Sequence, residues 1–215
     1  MFHSKTSFTL DEILDFEQRY RAVFINSLSG FKSVNLIGTK DLNDNENLAI
    51  FSSVVHIGAN PPLIGFIIRP DSVDRHTLSN ILSTKSYTLN HINEEIFSKA
   101  HQTSARYAKE VSEFDAVGLT PEYKNDCFAP FVNESHMQIE MEFKEKVDLK
   151  INGTSLIIGL IKSIHLPIET IQEDGFIDLE QLNTVTCSGL DSYHKTERLN
   201  RLSYAKPNQN LKIIK

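Results

Sequence analysis

Cysteine is scarce. Cys127 and Cys187 are the only two in 215 residues, too few and too far apart for a disulfide framework or a zinc site. A reducing compartment is the simplest expectation. No apolar run reaches bilayer-spanning length; the longest, 156–161, is interrupted by Gly159 and followed by Lys162. The opening Met1-Phe2-His3-Ser4-Lys5 lacks the basic start and apolar core of a secretion signal. These absences predict a soluble, cytoplasmic chain with no membrane partner. Positive charge is also short: 22 Lys and Arg against 28 Asp and Glu leave a net −6. That argues against a general nucleic-acid binder and leaves room for a local basic site for one phosphate group. Phosphate loops, dinucleotide-binding glycine triplets, nucleophile elbows and His-Glu-x-x-His are all missing. His56, His91, His101, His136, His165 and His194 never fall at short ligand spacing, so no metal site is expected.

What is present is ordinary globular composition, 40% hydrophobic and 23% charged, which disfavours disorder and fibrous classes. The length suits a single domain over 1–215 with modest additions. Thr9 and Glu12 have capping-box spacing and open a helix over about 9–29, with Gly30 at its end. Short β-rich runs follow at 33–37, 48–55 and 63–68, separated by Asn43-Asp44-Asn45 and by Gly58-Ala59-Asn60-Pro61-Pro62. A helix is expected over 75–84, a strand over 87–92 and a helix over 94–107, then a loop-like stretch. Two long strands, 136–143 and 155–166, close the core around a tight hairpin at Asn152-Gly153. A C-terminal extension over about 167–215 is mixed, with a possible short edge at 175–179. The expected fold class is α+β, mainly antiparallel β: a barrel with helices packed across its openings.

The most informative residues run from Asn47-Leu48-Ala49-Ile50-Phe51-Ser52-Ser53-Val54-Val55 through Asn60-Pro61-Pro62 to Arg69-Pro70. Arg75-His76-Thr77-Leu78-Ser79-Asn80-Ile81, Tyr87-Thr88-Leu89-Asn90 and Ser112-Glu113-Phe114 then follow in order. In this succession the chain resembles the flavin reductase-like family, whose members adopt the FMN-binding split-barrel fold. The resemblance covers roughly 33–166.

It implies an FMN-binding flavoprotein, an oxidoreductase that takes electrons from NADH or NADPH, in a homodimer. A phosphate needs a compact set of cationic or neutral donors, and Arg75, His76 and Thr77, helped by Arg69, stand where the family holds it. On the residues alone, Thr77 as a helix cap and Arg75 as a solvated side chain are the favoured reading, and the resemblance shifts it to phosphate binding. Ser52, Ser53, Val54 and Val55 match the strand whose backbone runs along the flavin ring edge. This chain lacks the aromatics common at the Ser53 and Val54 positions. Asn90 and His91 are expected at the ring's polar edge or ribityl chain, and Thr103, Ser104 and Tyr107 along another side, although an amphipathic helix explains those three equally well. Tyr193 and His194 are candidates for stacking on the ring and facing a nicotinamide or substrate. Glu113 and the Glu140-Met141-Glu142 run read as solvated or structural. The competing functions are an electron-transfer flavoprotein on the same scaffold, one holding another cofactor such as a haem or deazaflavin, and a barrel that binds nothing coloured.

Overall fold

The Thr9 hydroxyl accepts the Glu12 N–H while the Glu12 carboxylate accepts the Thr9 N–H, closing the capping box. The structure, a computed structural model, describes residues 4–70, 76–124 and 126–214. The expected single helix is two: α1 (Leu10–Asp15) and α2 (Gln18–Leu28). Glu17 restarts the chain by accepting from the Tyr20 N–H, and Arg21 bonds the carbonyls that α1 leaves open at Leu14 and Phe16.

Then come β1 (Lys32–Ser33), β2 (Asn35–Lys40), β3 (Glu46–Phe51), β4 (Val54–Ala59) and β5 (Pro62–Ile68). Next are α3 (His76–Thr84), β6 (Ser86–His91), α4 (Phe97–Gln102) and α5 (Glu113–Val117). Two short strands, β7 (Pro121–Glu122) and β8 (Phe131–Val132), precede the long pair β9 (Gln138–Leu149) and β10 (Thr154–His165). After a single 3-10 turn at Ile168–Thr170 the chain adds β11 (Thr186–Ser188), β12 (Ser192–His194), β13 (Arg201–Leu202) and β14 (Ile213–Ile214).

One antiparallel sheet runs in the order β3-β2-β6-β9-β10-β5-β4. Its two edge strands are consecutive in sequence, joined only by Ser52 and Ser53. A sheet whose edges are two residues apart must curl until those edges are neighbours. β3 and β4 are nonetheless not paired, so the barrel stays open along that line. This is the split.

Inside lie Ile37, Phe66, Tyr87, Leu89, Ile139, Met141 and Ile157, all essentially without solvent access. Leu36 and Leu48 point the other way and are covered by Ile92, Ile96, Phe114 and Val185, beneath α4 and α5. β2 and β6 are buried on both faces over most of their length, so neither shows the alternation of a strand with one wet face. At Gly38 an added Cβ would collide with the Pro130 carbonyl, so only glycine lets the 130 segment cross β2.

Local chemistry moves several expected boundaries. The 48–55 strand is cut at Ser52-Ser53. Helix α4 is short because Thr103 caps it, its hydroxyl bonding Ala100 O. The loop-like stretch holds α5, stopped by Gly118 at φ 68°. The Asn152-Gly153 hairpin is a four-residue loop in which Leu149 pairs with Thr154. Leu149 O accepts both the Asn152 and Gly153 N–H, and only Gly153 takes a positive φ. The 175–179 edge shrinks to one bridge, Ile171 with Ile177. Among the described residues no helix is long and apolar enough to cross a membrane.

Candidate functional site

The split concentrates unpaired backbone. β3 ends its ladder at Phe51 and β4 begins at Val54, so the N–H groups of Ser52 and Ser53 belong to neither. Ser53 pins the turn: its hydroxyl donates to Ile67 O and accepts from Ile67 N, both at 3.1 Å. Ser33 donates to Val54 O at 2.6 Å, leaving Val55 exposed on the free edge of β4. Arg69 follows the last residue of β5, and its side chain is exposed.

The small sheet β1-β11-β12 walls this turn. Cys187 on β11 lies near the Ser52 side chain, and burial pushes its thiol up. Across the ladder Cys187 faces Tyr193. The Tyr193 hydroxyl meets His101 Nδ1 at 2.9 Å, and its ring packs against Phe97 and the edge of His101. Burial pushes its phenol up to about 12, so it stays protonated at neutral pH. His194 is clamped: Nε2 meets Ser188 Oγ at 2.8 Å and Phe31 packs against its ring. The tail and α4, ninety residues apart, thus meet beside the split. Ser104 is exposed and Tyr107 half-buried just beyond α4, the phenol accepting from Gln102.

Other predicted site residues are occupied elsewhere. Asn90 is fully buried; its amide donates to Leu36 O and Thr88 Oγ1, and its Oδ1 accepts from Val132 N. Both its donors are spent inside the wall, so it ties β2, β6 and β8 together instead of facing a ring edge. Thr103 is buried and spent on its helix. Thr77 is buried and accepts from Asn47 Nδ2, within a network that includes Thr39 and Asn80. His76 opens α3 in a cleft with Asp41, Glu46, Lys109 and Glu113, carboxylate-rich surroundings unlike a phosphate cradle. His91 is packed in, Nδ1 3.4 Å from Thr184 Oγ1, and burial holds its imidazole down at about 4. Arg75 lies outside the described residues.

Sequence reasoning missed two participants. His101 sits in the segment singled out for Thr103 and Ser104, but nothing local marks it as the partner of Tyr193. Cys187, between Thr186 and Ser188, had no signal. Glu113, read as solvated or structural, is structural: it is buried, and its carboxylate accepts the Leu48 N–H at 2.9 Å; desolvation raises its pKa.

A family model for the flavin reductase like domain matches residues 31–176. A crystal structure of a candidate flavin reductase with a split barrel domain, from Shewanella frigidimarina NCIMB 400, is 53% identical. That match covers 94% of this chain and all of the other, with a TM-score of 0.91. Nitrilotriacetate monooxygenase component B from Bacillus cereus is 18% identical and has a TM-score of 0.81, covering 94% of this chain and all of that one, a likeness of fold. An uncharacterized protein of Aquifex aeolicus (strain VF5) is 32% identical over 124 residues, 55% of this chain and 63% of that protein's length. The chain belongs to the flavin reductase like family and is built as a split barrel.

Proposed function

We propose that the protein binds FMN at the split and uses it as an NADH- or NADPH-dependent oxidoreductase. The observation that carries the reading is the strip at Ser52 and Ser53. A flavin's pyrimidine edge alternates acceptors and a donor, and backbone groups left out of a ladder match it without any particular side chain. Tolerance of serine and valine where relatives carry aromatics follows from that. Arg69 supplies a cation for the phosphate, with Arg75 as its companion by family resemblance. Asn90, Thr77 and Thr103 support the walls of the site, and His76 is assigned no phosphate contact.

When bound, FMN supplies the capacity to accept a hydride from a reduced nicotinamide. The residues of this chain position and shield. Tyr193, held by His101 and Phe97, gives the split a wall that is apolar on its ring and polar at one fixed hydroxyl. His194 is restrained by Ser188 and Phe31 and orients the end of β12. No proton-transfer dyad is needed for hydride movement, which depends on stacking and distance.

The test is an absorbance spectrum of the purified protein before and after FMN is added and excess removed. Retained flavin bands that bleach with NADH or NADPH are expected. Bleaching by dithionite alone would assign an electron-transfer role, and a flat spectrum would reject the cofactor. In the same titration Arg69→Ala should weaken FMN by about 10- to 100-fold, the range for a charge-assisted hydrogen bond. Unchanged affinity would remove Arg69 from the site.

A further inference from the structure

A cavity of about 260 Å³ lies between the loop that follows β10 and the C-terminal hairpin β13–β14, a volume near the lower end of small-ligand pockets. None of its lining residues belongs to the split. The loop is tied to the barrel. Thr170 is buried and its carbonyl accepts the Asp178 N–H at 2.9 Å, while Phe176 O accepts the Gln172 N–H at 2.8 Å. Ile177 packs against the core and Leu182 is part of it. On the tail side Arg201 pairs with Ile214, and Ser203 N–H donates to Lys212 O at 2.8 Å. The cavity therefore stands between two ordered hairpins.

Two arginines line it. The Arg198 and Arg201 guanidiniums lie over one ring, that of Phe176, at 5.6 and 4.1 Å from its centroid. Arg198 Nη2 bonds Asp178 Oδ2 at 2.9 Å and stands 3.9 Å from Glu180, and Arg201 Nη2 bonds Asp174. Among the described residues each guanidinium makes its hydrogen bonds through Nη2 alone, so the Nε and Nη1 donors of both are unspent. The ring and the carboxylates fix where those donors stand. The side chains of Gln172 and Asn200 add two amides to the lining, and neither makes a hydrogen bond among the described residues. Leu199 and Ile214 give an apolar side, open to water at Leu199, which is 92% exposed.

Charge selects the guest. Arg198, Arg201 and Asp178 are the charged residues of the lining, a net +1, whereas Asp174 and Glu180 stand outside it. With those two included the balance is −1. A monoanion neutralises the lining, but a dianion leaves an excess negative charge beside Asp178 and Glu180. A flat carboxylate also matches the planar N–H edge of a guanidinium. We infer that the cavity binds a small aliphatic monocarboxylate, with its oxygens on Arg198 and Arg201 and its carbon chain against Leu199 and Ile214. The inference does not rest on the flavin reading.

Calorimetric titration of the full chain with butyrate tests it, with butyramide as the neutral isostere and inorganic phosphate as the more highly charged anion. Butyrate should saturate at about millimolar concentration. Butyramide and phosphate should each bind at least tenfold more weakly. Arg201→Gln should weaken butyrate about tenfold or more, the scale of a charge-assisted hydrogen bond. Lys206→Gln, a change in exposed tail charge outside the lining, should leave it unaltered. Asp178→Asn guards against a variant that merely loosens the tail. It removes the negative charge from the lining, and its amide oxygen still accepts the Glu180 and Gln181 N–H groups. Butyrate should then bind about threefold more tightly, a gain that disrupted folding cannot produce. Absence of saturation, equal binding of butyramide or phosphate, unchanged affinity in Arg201→Gln, a loss in Lys206→Gln, or weaker binding to Asp178→Asn would each overturn the proposal.

Discussion

The closed wall of the barrel and its split treat polar groups in opposite ways. Along β2, β6 and β9 the buried polar side chains, the Tyr87 hydroxyl apart, are consumed by the fold. Asn90 bonds three partners, Thr88 donates to Pro130 O, and Gln138 donates to Val132 O. At Ser52 and Ser53 the backbone is left out of both ladders while the side chains are pinned or half-buried. Strand-end polar residues in this fold are therefore struts where the sheet is continuous, and the backbone is available only where the sheet is interrupted.

The largest expected effect tests the struts. Asn90→Ala strands the buried Val132 N–H and removes two donors from inside the wall, a loss of about 3 kcal/mol in urea unfolding. FMN affinity of the folded fraction should stay unchanged. A variant of normal stability that lost FMN would return Asn90 to the ligand side of the comparison.

Next in size is a pH effect at the end of the same strand. His91 titrates near 6.5 when unfolded and is held at about 4 in the fold by burial. Between those values the unfolded chain binds the extra proton, so stability is full above pH 6.5 and falls as pH drops toward 4. The shift corresponds to about 3 kcal/mol over that window. His91→Gln should flatten this limb by one proton. An unaltered limb would mean that water or another group solvates the imidazole in the fold.

A smaller change should move the other way. The Tyr87 hydroxyl is buried without a hydrogen-bond partner, and it occupies the space where a side chain at Gly159 would stand. Tyr87→Phe removes an unsatisfied group and keeps the ring against Phe66, so stability should rise by about 1 kcal/mol in the same unfolding assay. A destabilised variant would show that the hydroxyl has a partner, such as bound water.

What was legible in the sequence follows the range of the interactions involved. The Thr9–Glu12 box is local and was readable, as were the apolar strands and the antiparallel β9–β10 pair. The cut at Ser52-Ser53 was not, because 48–55 is apolar enough to pass for one strand; the break comes from Ser53 bonding Ile67 across the sheet. The fates of Asn90, Thr77 and His101 were illegible for the same reason, their partners lying 42, 30 and 92 residues away. The order of family motifs indicated the family and the fold, but motif order cannot tell a side chain that binds from one that braces.

The smallest expected effect is the sharpest test of that distinction. Ser52 sits at the centre of the proposed flavin edge, and its hydroxyl turns toward Cys187. If the backbone binds the ring, Ser52→Ala should leave FMN affinity within about twofold, because the N–H remains and only one weak contact between hydroxyl and thiol is lost. A loss of tenfold or more would put the side chain in direct contact with the cofactor. The split would then bind as an ordinary pocket of side chains, and the difference between wall and opening would be one of exposure alone. Retained affinity, together with a weakened Arg69→Ala, would divide the site into a backbone edge for the ring and a cation for the phosphate.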